Sequence, residues 1–234
     1  MNWRRALNDV KKRPSEFALI ERLFSPLTSS HTGAANLKDD CATLPITSGY
    51  DAIYSVDTLV EGVHFFGEDA AHSVAKKMLR VSLSDIAASG GSPRGYLIAL
   101  SLPGDIPFEW LEDFAKGLAE DQIKFNVVLL GGDTTSTSGP LTLSLTAIGE
   151  VPIGKAIRRS GVDVGDDIYV TGTVGDAALA LSVVNQIGRK EALQHYPNLL
   201  ERYILPQPCV ALGPLLIDIA TSCIDVSDGL CADL

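Results

Sequence analysis

Between residues 52 and 148 the hydrophobic pattern changes period repeatedly, and each change limits the folds open to the chain. Residues 52–59 are rich in strand formers. Residues 70–89 then repeat apolar side chains at helical spacing (Val74, Met78, Val81, Ile86) before Gly90 and Gly91 break the pattern. The sequence predicts a further strand over 95–102, an amphipathic helix over 107–124, a buried strand over 127–130, and a strand over 141–148 whose Leu141, Leu143 and Leu145 alternate with polar residues. A short helix over 15–24, N-capped by Ser15 and ended by Pro26, precedes this block, and a polar loop over 28–36 is expected to be mobile.

After residue 150 the pattern gives way to a connection containing Gly, Arg and Lys, which sets a domain boundary: 1–150 first, 151–234 second. The second part is expected to hold strands over 167–171 and 223–226 and helices over 175–186 and 208–220, too few elements to close a domain core. The fold class is therefore α+β with mixed α/β layers, an N-terminal sheet-plus-helices domain followed by an incomplete second α/β domain.

Composition narrows the function. A net charge of −10 argues against a nucleic-acid groove, which clusters Lys and Arg. No apolar run spans a bilayer, and the basic, polar residues 1–13 are not of signal-peptide type, so a cytoplasmic location is expected. The four cysteines (Cys41, Cys209, Cys223, Cys231) form no zinc signature and read as reduced, mostly buried thiols.

Four aspartates fall at predicted element ends or inside apolar segments: Asp40, Asp57, Asp85 and Asp133. Asp57 and Asp85 sit where an unpartnered carboxylate is strongly disfavoured, so each needs a cation or several donors. With no His or Cys beside them the fitting ion is hard, Mg²⁺ first, shared with the phosphates of a nucleotide. Asp39 and Asp40 cannot both face the site on an extended segment, and Asp40 is the chosen ligand. The idea requires Asp57, Asp85 and Asp133 to converge. Gly149 to Lys155 follows the outline of a P-loop, but Ala156 stands where the metal-binding hydroxyl belongs and Pro152 interrupts the loop, so the pattern is set aside. The glycines at 172 and 175 read as a tight strand-to-helix turn.

Taken in order, Asp39-Asp40-Cys-Ala, Ser55-Val-Asp57-Thr-Leu-Val-Glu-Gly-Val-His64-Phe, Leu83-Ser-Asp85-Ile, Gly132-Asp133-Thr-Thr, Arg159-Ser-Gly and Ile224-Asp225-Val-Ser227-Asp228-Gly229 resemble the motif series of thiamine-monophosphate kinases, within the aminoimidazole-ribotide synthetase fold group. The resemblance implies transfer of the γ-phosphoryl of ATP to thiamine monophosphate. It further implies that Asp40, Ser55, Val56 (through its main chain), Asp57, Asp85, Asp133, Asp225 and Asp228 bind several Mg²⁺ ions. Gly132, Asp133, Arg159 and Ser227 would contact ATP, the co-substrate, and His64 would contact the thiamine substrate, with Phe65 and Phe66 offering an aromatic face. A homodimer joined through the N-terminal sheets is implied as well. No general base is expected. Lys38 replaces the Gly usual before the Asp-Asp pair, Val56 replaces a usual Ser or Thr, and the family's pattern runs on past Leu234. The alternatives are another ATP-using enzyme of the fold group, of aminoimidazole-ribotide or selenophosphate synthetase type, or a catalytically incomplete nucleotide-binding dimerisation module.

Overall fold

The computed structural model describes residues 14–29 and 31–234. The basic segment 1–13 and Ser30 lie outside the described residues.

Four strands form one sheet in the order β1-β4-β2-β3: β1 (Tyr50–Val60), β2 (Ser92–Pro103), β3 (Val128–Thr137) and β4 (Thr142–Pro152). β4 pairs antiparallel with both β1 and β2, while β2 and β3 run parallel. Parallel strands need a crossover, and helices supply it. After α1 (Glu16–Leu19), α2 (Ala71–Ala88) leads from β1 to β2 and α3 (Phe108–Phe125) from β2 to β3.

The alternation of β4 shows which face is covered. Leu143, Leu145 and Ala147 are fully buried beneath the helices, while Thr142, Ser144 and Thr146 are only partly covered. On the same open face Tyr54 and Val56 of β1 are each 66% exposed. The covered face meets Val74, Met78, Leu79 and Leu83 of α2 and Leu111, Phe114 and Leu118 of α3 in one continuous core. α2 and α3 approach closely because Gly117 has no Cβ; one placed there would lie 2.4 Å from the His72 carbonyl oxygen. They are also joined by a buried ion pair in which Arg80 donates Nε and Nη2 to Asp121 at 2.6 and 2.9 Å.

Boundaries in this half follow the sequence closely, apart from β3 and the residues before β1. β3 extends through Gly131, Gly132 and Asp133 to Thr137, because its parallel register with β2 satisfies the backbone that the glycines leave bare. Residues 25–28 and 32–37 form 3₁₀ turns instead of an irregular loop, and Pro26 sits within the first of them. Ser15 occupies the N-cap position of α1 without a capping side-chain hydrogen bond, and residues 20–24 continue as π-helix.

The second half departs further. Helix α4 (Asp176–Ile187) matches expectation, but α5 (Arg189–His195) and α6 (Pro197–Ile204) are additional, and residues 208–220 hold only a 3₁₀ turn, Gly213–Leu216. Residues 167–171 and 223–226 are irregular and are not strands: no neighbouring strand among the described residues takes their backbone groups. A short helix, α7 (Leu230–Asp233), follows. A second small core of Ala180, Val184, Ala192 and Leu200 gathers α4, α5 and α6. The thiols are all unpaired, yet Cys41, Cys209 and Cys231 are exposed and Cys223 half-covered; each lies in a segment outside the main core, so the expectation of buried thiols fails.

Candidate functional site

Strand β1 and helix α2 place the first two carboxylates. On β1, odd-numbered residues face the helices, so Ser55 and Asp57 point at α2, where Ser82 and Asp85 lie one turn apart. The Ser82 hydroxyl donates to Asp57 Oδ2 at 2.6 Å, and the Ser55 hydroxyl donates to Asp85 Oδ2. Each carboxylate is thus oriented by a serine from the opposite element.

The irregular segment after residue 222 brings a third. Asp225 faces Asp85 and Asp57, and burial first, then the charge of Asp85, pushes its carboxyl up to about 6. Burial likewise raises Asp57, the Ser82 hydroxyl and the Asp85 charge acting in opposite senses. Among the described residues no Lys, Arg or His forms an ion pair with any of the three. The cluster therefore carries uncompensated negative charge, which a hard cation would relieve.

Asp85 and Asp225, though not Asp57, line a cleft of about 420 Å³ between β1, the end of α2, the 157–159 connection and the 223–233 segment. Ser55, Asp85, Arg159, Asp225, Ser227 and Asp228 all border it, with Arg158 beside Arg159. Chain segments 158–159 and 222–223 are stitched together: Cys223 N–H donates to the Arg158 carbonyl at 3.1 Å and the Ser222 hydroxyl to the Arg159 carbonyl at 2.7 Å. The backbone N–H groups of Ser227, Asp228 and Gly229 all donate to one carboxylate oxygen of Asp233, at 2.9, 3.1 and 3.2 Å. Sequence reasoning missed Asp233, the last residue of the short helix after the Ser-Asp-Gly turn, and no spacing pattern marks it.

Other expected residues are not brought here. Asp133 is in register with Ala99 and, through it, with Ser144 on the open face, whereas Asp57 is in register with the buried Leu145. Asp133 and Gly132 lie on β3, the opposite edge strand from β1, three strand spacings or about 14 Å away. Within one chain, convergence thus holds for Asp57, Asp85 and Asp225 and fails for Asp133. The physical reason is topological: β4 inserts between β1 and β2, and β3 is added outside β2. Gly132 also has a structural role, since a Cβ there would lie 2.1 Å from the Ile98 carbonyl oxygen. Val56 points to the open face, and Asp40 lies on an exposed segment with its N–H bonded to Asp39 Oδ1 at 2.9 Å. Among the described residues no three acidic, His or Cys side chains already surround a single ion position.

His64 follows β1 in a tight loop. Val60 N–H donates to its Nδ1 at 3.0 Å, so the neutral ring carries its proton on Nε2 and offers a donor outward. The expected aromatic face is not available: Phe65 is buried in the main core, and Phe66 packs on Tyr203 with ring centroids 5.6 Å apart. Gly149 to Pro152 belong to β4, in keeping with the rejection of a P-loop.

Comparison with known proteins bears on this arrangement. Residues 38–151 match the family model of the AIR synthase related protein, N-terminal domain. The thiamine-monophosphate kinase of Caulobacter vibrioides is 44% identical over 220 residues, which is 94% of this chain and 61% of that protein. That of Escherichia coli K12 is 41% identical, covering 94% and 67%. The crystal structure of thiamine-monophosphate kinase from Stenotrophomonas maltophilia superposes with a TM-score of 0.82 at 41% identity, over 93% of this chain and 69% of that one. A structure described as AaThiL complexed with AMPPCP and TMP gives 0.74 at 28% identity, over 93% and 67%.

Proposed function

The chain belongs to the thiamine-monophosphate kinase family, and from that premise we propose that it forms the nucleotide- and metal-binding part of an ATP-dependent kinase that converts thiamine monophosphate to thiamine diphosphate. The observation that carries the proposal is the meeting of Asp85 and Asp225 with Arg159 in one cleft, with Asp57 close enough to act on both carboxylates. Relatives at this identity bear the name of the reaction, and one structural neighbour is described with an ATP analogue and TMP.

The chemistry asks little acid–base work of the protein. A phosphate monoester has a second pKa of about 6, so the acceptor already carries a nucleophilic oxygen at neutral pH. The difficulty is to bring two polyanions together and align them in line. Mg²⁺ bound by these oxygen donors would supply charge neutralisation for the transferring group. Asp57, Asp85, Asp225 and Asp228, with Ser55, are the donors within reach of the cleft, and their serine partners fix which oxygens remain free. Arg159 would pair with nucleotide phosphate oxygens, and the Ser227 turn, shaped by Asp233, would close against them. His64 would donate from Nε2 to the acceptor.

Asp133, Gly132 and Asp40 enter the site from outside this geometry. We assign Asp133 and Gly132 to a homodimer in which one copy's β3 edge meets the other's β1 edge, so that each cleft is completed by its neighbour. The open, apolar-studded sheet face fits such closure. The division at 150/151 is supported by the end of the sheet at Pro152 and by the separate small core of α4 to α6. Among the described residues no helix is long and apolar enough to cross a membrane, and a cytoplasmic location is proposed on the composition.

The direct test is formation of ADP and thiamine diphosphate from ATP and thiamine monophosphate, with and without Mg²⁺, by this chain and by a version extended past Leu234. Mg²⁺-dependent transfer in either form is expected. Failure of both to transfer, while ATP with Mg²⁺ still raises the melting temperature, would leave the dimerisation-module alternative standing.

A further inference from the structure

The loop after β1 is anchored in two places at once. Phe65 is buried in the main core, whereas its neighbour Phe66 packs in the small core with Tyr203 of α6. His64 lies immediately before this divergence, and its carbonyl oxygen is taken from two sides. Lys77 of α2 donates Nζ to it at 2.6 Å, and the Tyr203 hydroxyl donates to it at 3.3 Å. The Lys77 ammonium simultaneously sits 3.8 Å from the centroid of the Tyr203 ring, so the three groups form a closed triangle.

The far end of the loop is held the same way. Asp69 caps the Phe66 N–H at 2.9 Å and meets Arg189 of α5, whose Nη2 lies 2.5 Å from Asp69 Oδ1. That approach is close but off the line of a hydrogen bond, since Asp69 Oδ1 and Arg189 Nη1 are buried without hydrogen-bond partners. Lys77 is thus the group on α2 through which the sheet layer and the α5–α6 layer both grip the loop.

We propose that Lys77, with Tyr203, is a positioning residue for the acceptor: by holding the His64 carbonyl it fixes the loop from which the His64 ring meets thiamine monophosphate, without touching the phosphoryl transfer itself. The inference rests on the reading of His64 as an acceptor contact. It explains why a half-buried lysine is spent on a main-chain carbonyl, no carboxylate among the described residues forming an ion pair with it. A cation's strong donor bond, shared with an aromatic ring, restrains the loop more firmly than a neutral donor would.

The groups facing Lys77 are Asp69 and His64 of the loop, Arg189 of α5 and Tyr203 of α6. Burial, opposed by Asp69 and reinforced by Arg189, brings its ammonium down to about 8. Loss of that charge as pH rises through this value removes the cation from the triangle, so the loop should loosen at alkaline pH.

The test uses Lys77→Met, Lys77→Arg and Tyr203→Phe in whichever form, this chain or the version extended past Leu234, carries turnover. Lys77→Met is expected to raise KM for thiamine monophosphate about tenfold, leaving kcat and KM for ATP within about twofold. Lys77→Arg should recover most of the loss, and Tyr203→Phe should cost about threefold. In the unmodified protein KM for the acceptor should climb above pH 8, and in Lys77→Arg it should stay flat. Equal changes in both KM values, or a fall in kcat alone, would overturn the proposal. Amide hydrogen exchange separates it from the kinase reading. If no form turns over, that reading has failed, and faster exchange over residues 61–69 in Lys77→Met still supports the clamp, whereas unchanged exchange refutes it.

Discussion

The two edges of the sheet carry the same kind of residue and use it differently. At the β1 edge, Asp57 faces inward to α2, takes a serine hydroxyl, and lies close to Asp85 and Asp225, which border a cleft. At the β3 edge, Asp133 lies on the open face with no such company among the described residues. A carboxylate embedded in a strand therefore says that a partner is needed and leaves open whether the same chain provides it. The β1 edge is completed from within the chain by the 223–233 segment; the β3 edge has exposed surface, to which the proposed dimer assigns a second copy.

Mixing variants gives the sharpest test of that contrast. Asp57→Ala and Asp133→Ala should each reduce turnover by 10³ or more, as loss of groups that hold the transferring phosphoryl's counter-charge requires. If the edges complete one another across a dimer, unfolding and refolding the two inactive variants together should restore up to about a quarter of wild-type activity, because half the dimers are mixed and each holds one intact site. No recovery would return Asp133 to its own chain's site and break the comparison.

Gly132→Ala tests the β3 edge by itself. A Cβ 2.1 Å from the Ile98 carbonyl forces the parallel β2–β3 pairing apart, and a loss of about 1–3 kcal/mol is expected in denaturant unfolding. Val56→Ala, on the open face of β1, should change monomer stability by less than about 0.5 kcal/mol. Equal effects would mean that the two edges are not packed differently.

A further modest effect concerns the charge at the β1 edge. Asp225 titrates near 6 in the folded protein against an ordinary value of 3.8, so the folded state holds its proton more tightly than the unfolded chain. Stability should therefore fall as pH rises from about 4 through 6 and level off above, with a magnitude of roughly 1 kcal/mol once solvent screening of a half-buried group is allowed for. Thermal melts of the metal-free protein at pH 5 and 7.5, compared with Asp225→Asn, read this difference. The substitution should remove most of it, and Mg²⁺ at pH 7.5 should raise the melting temperature of the unsubstituted protein.

Legibility in the sequence divided along the same line as the packing. Elements between 50 and 152 were readable because one covered face imposes a period on every strand and helix, as in Leu143, Leu145 and Ala147 or Val74, Met78 and Leu83. Residues 167–171 and 223–226 have strand-like composition but no pairing strand among the described residues, so local preference was not converted into structure. The site followed suit. Asp57, Asp85 and Asp225 could be named from their motifs, yet the serine partners, the Asp233 carboxylate beneath the Ser227 turn and the grip of Lys77 on His64 join residues whose spacing carries no signal.

Residue order alone was enough to say which segments bury a face, which carboxylates sit where a partner is needed, and which family's motifs they compose. The company each residue keeps came from the fold. Strand order did this, since inserting β4 between β1 and β2 sends Asp57 and Asp133 to opposite edges and opposite faces, a separation set by long-range hydrogen-bonded pairing that no local pattern encodes.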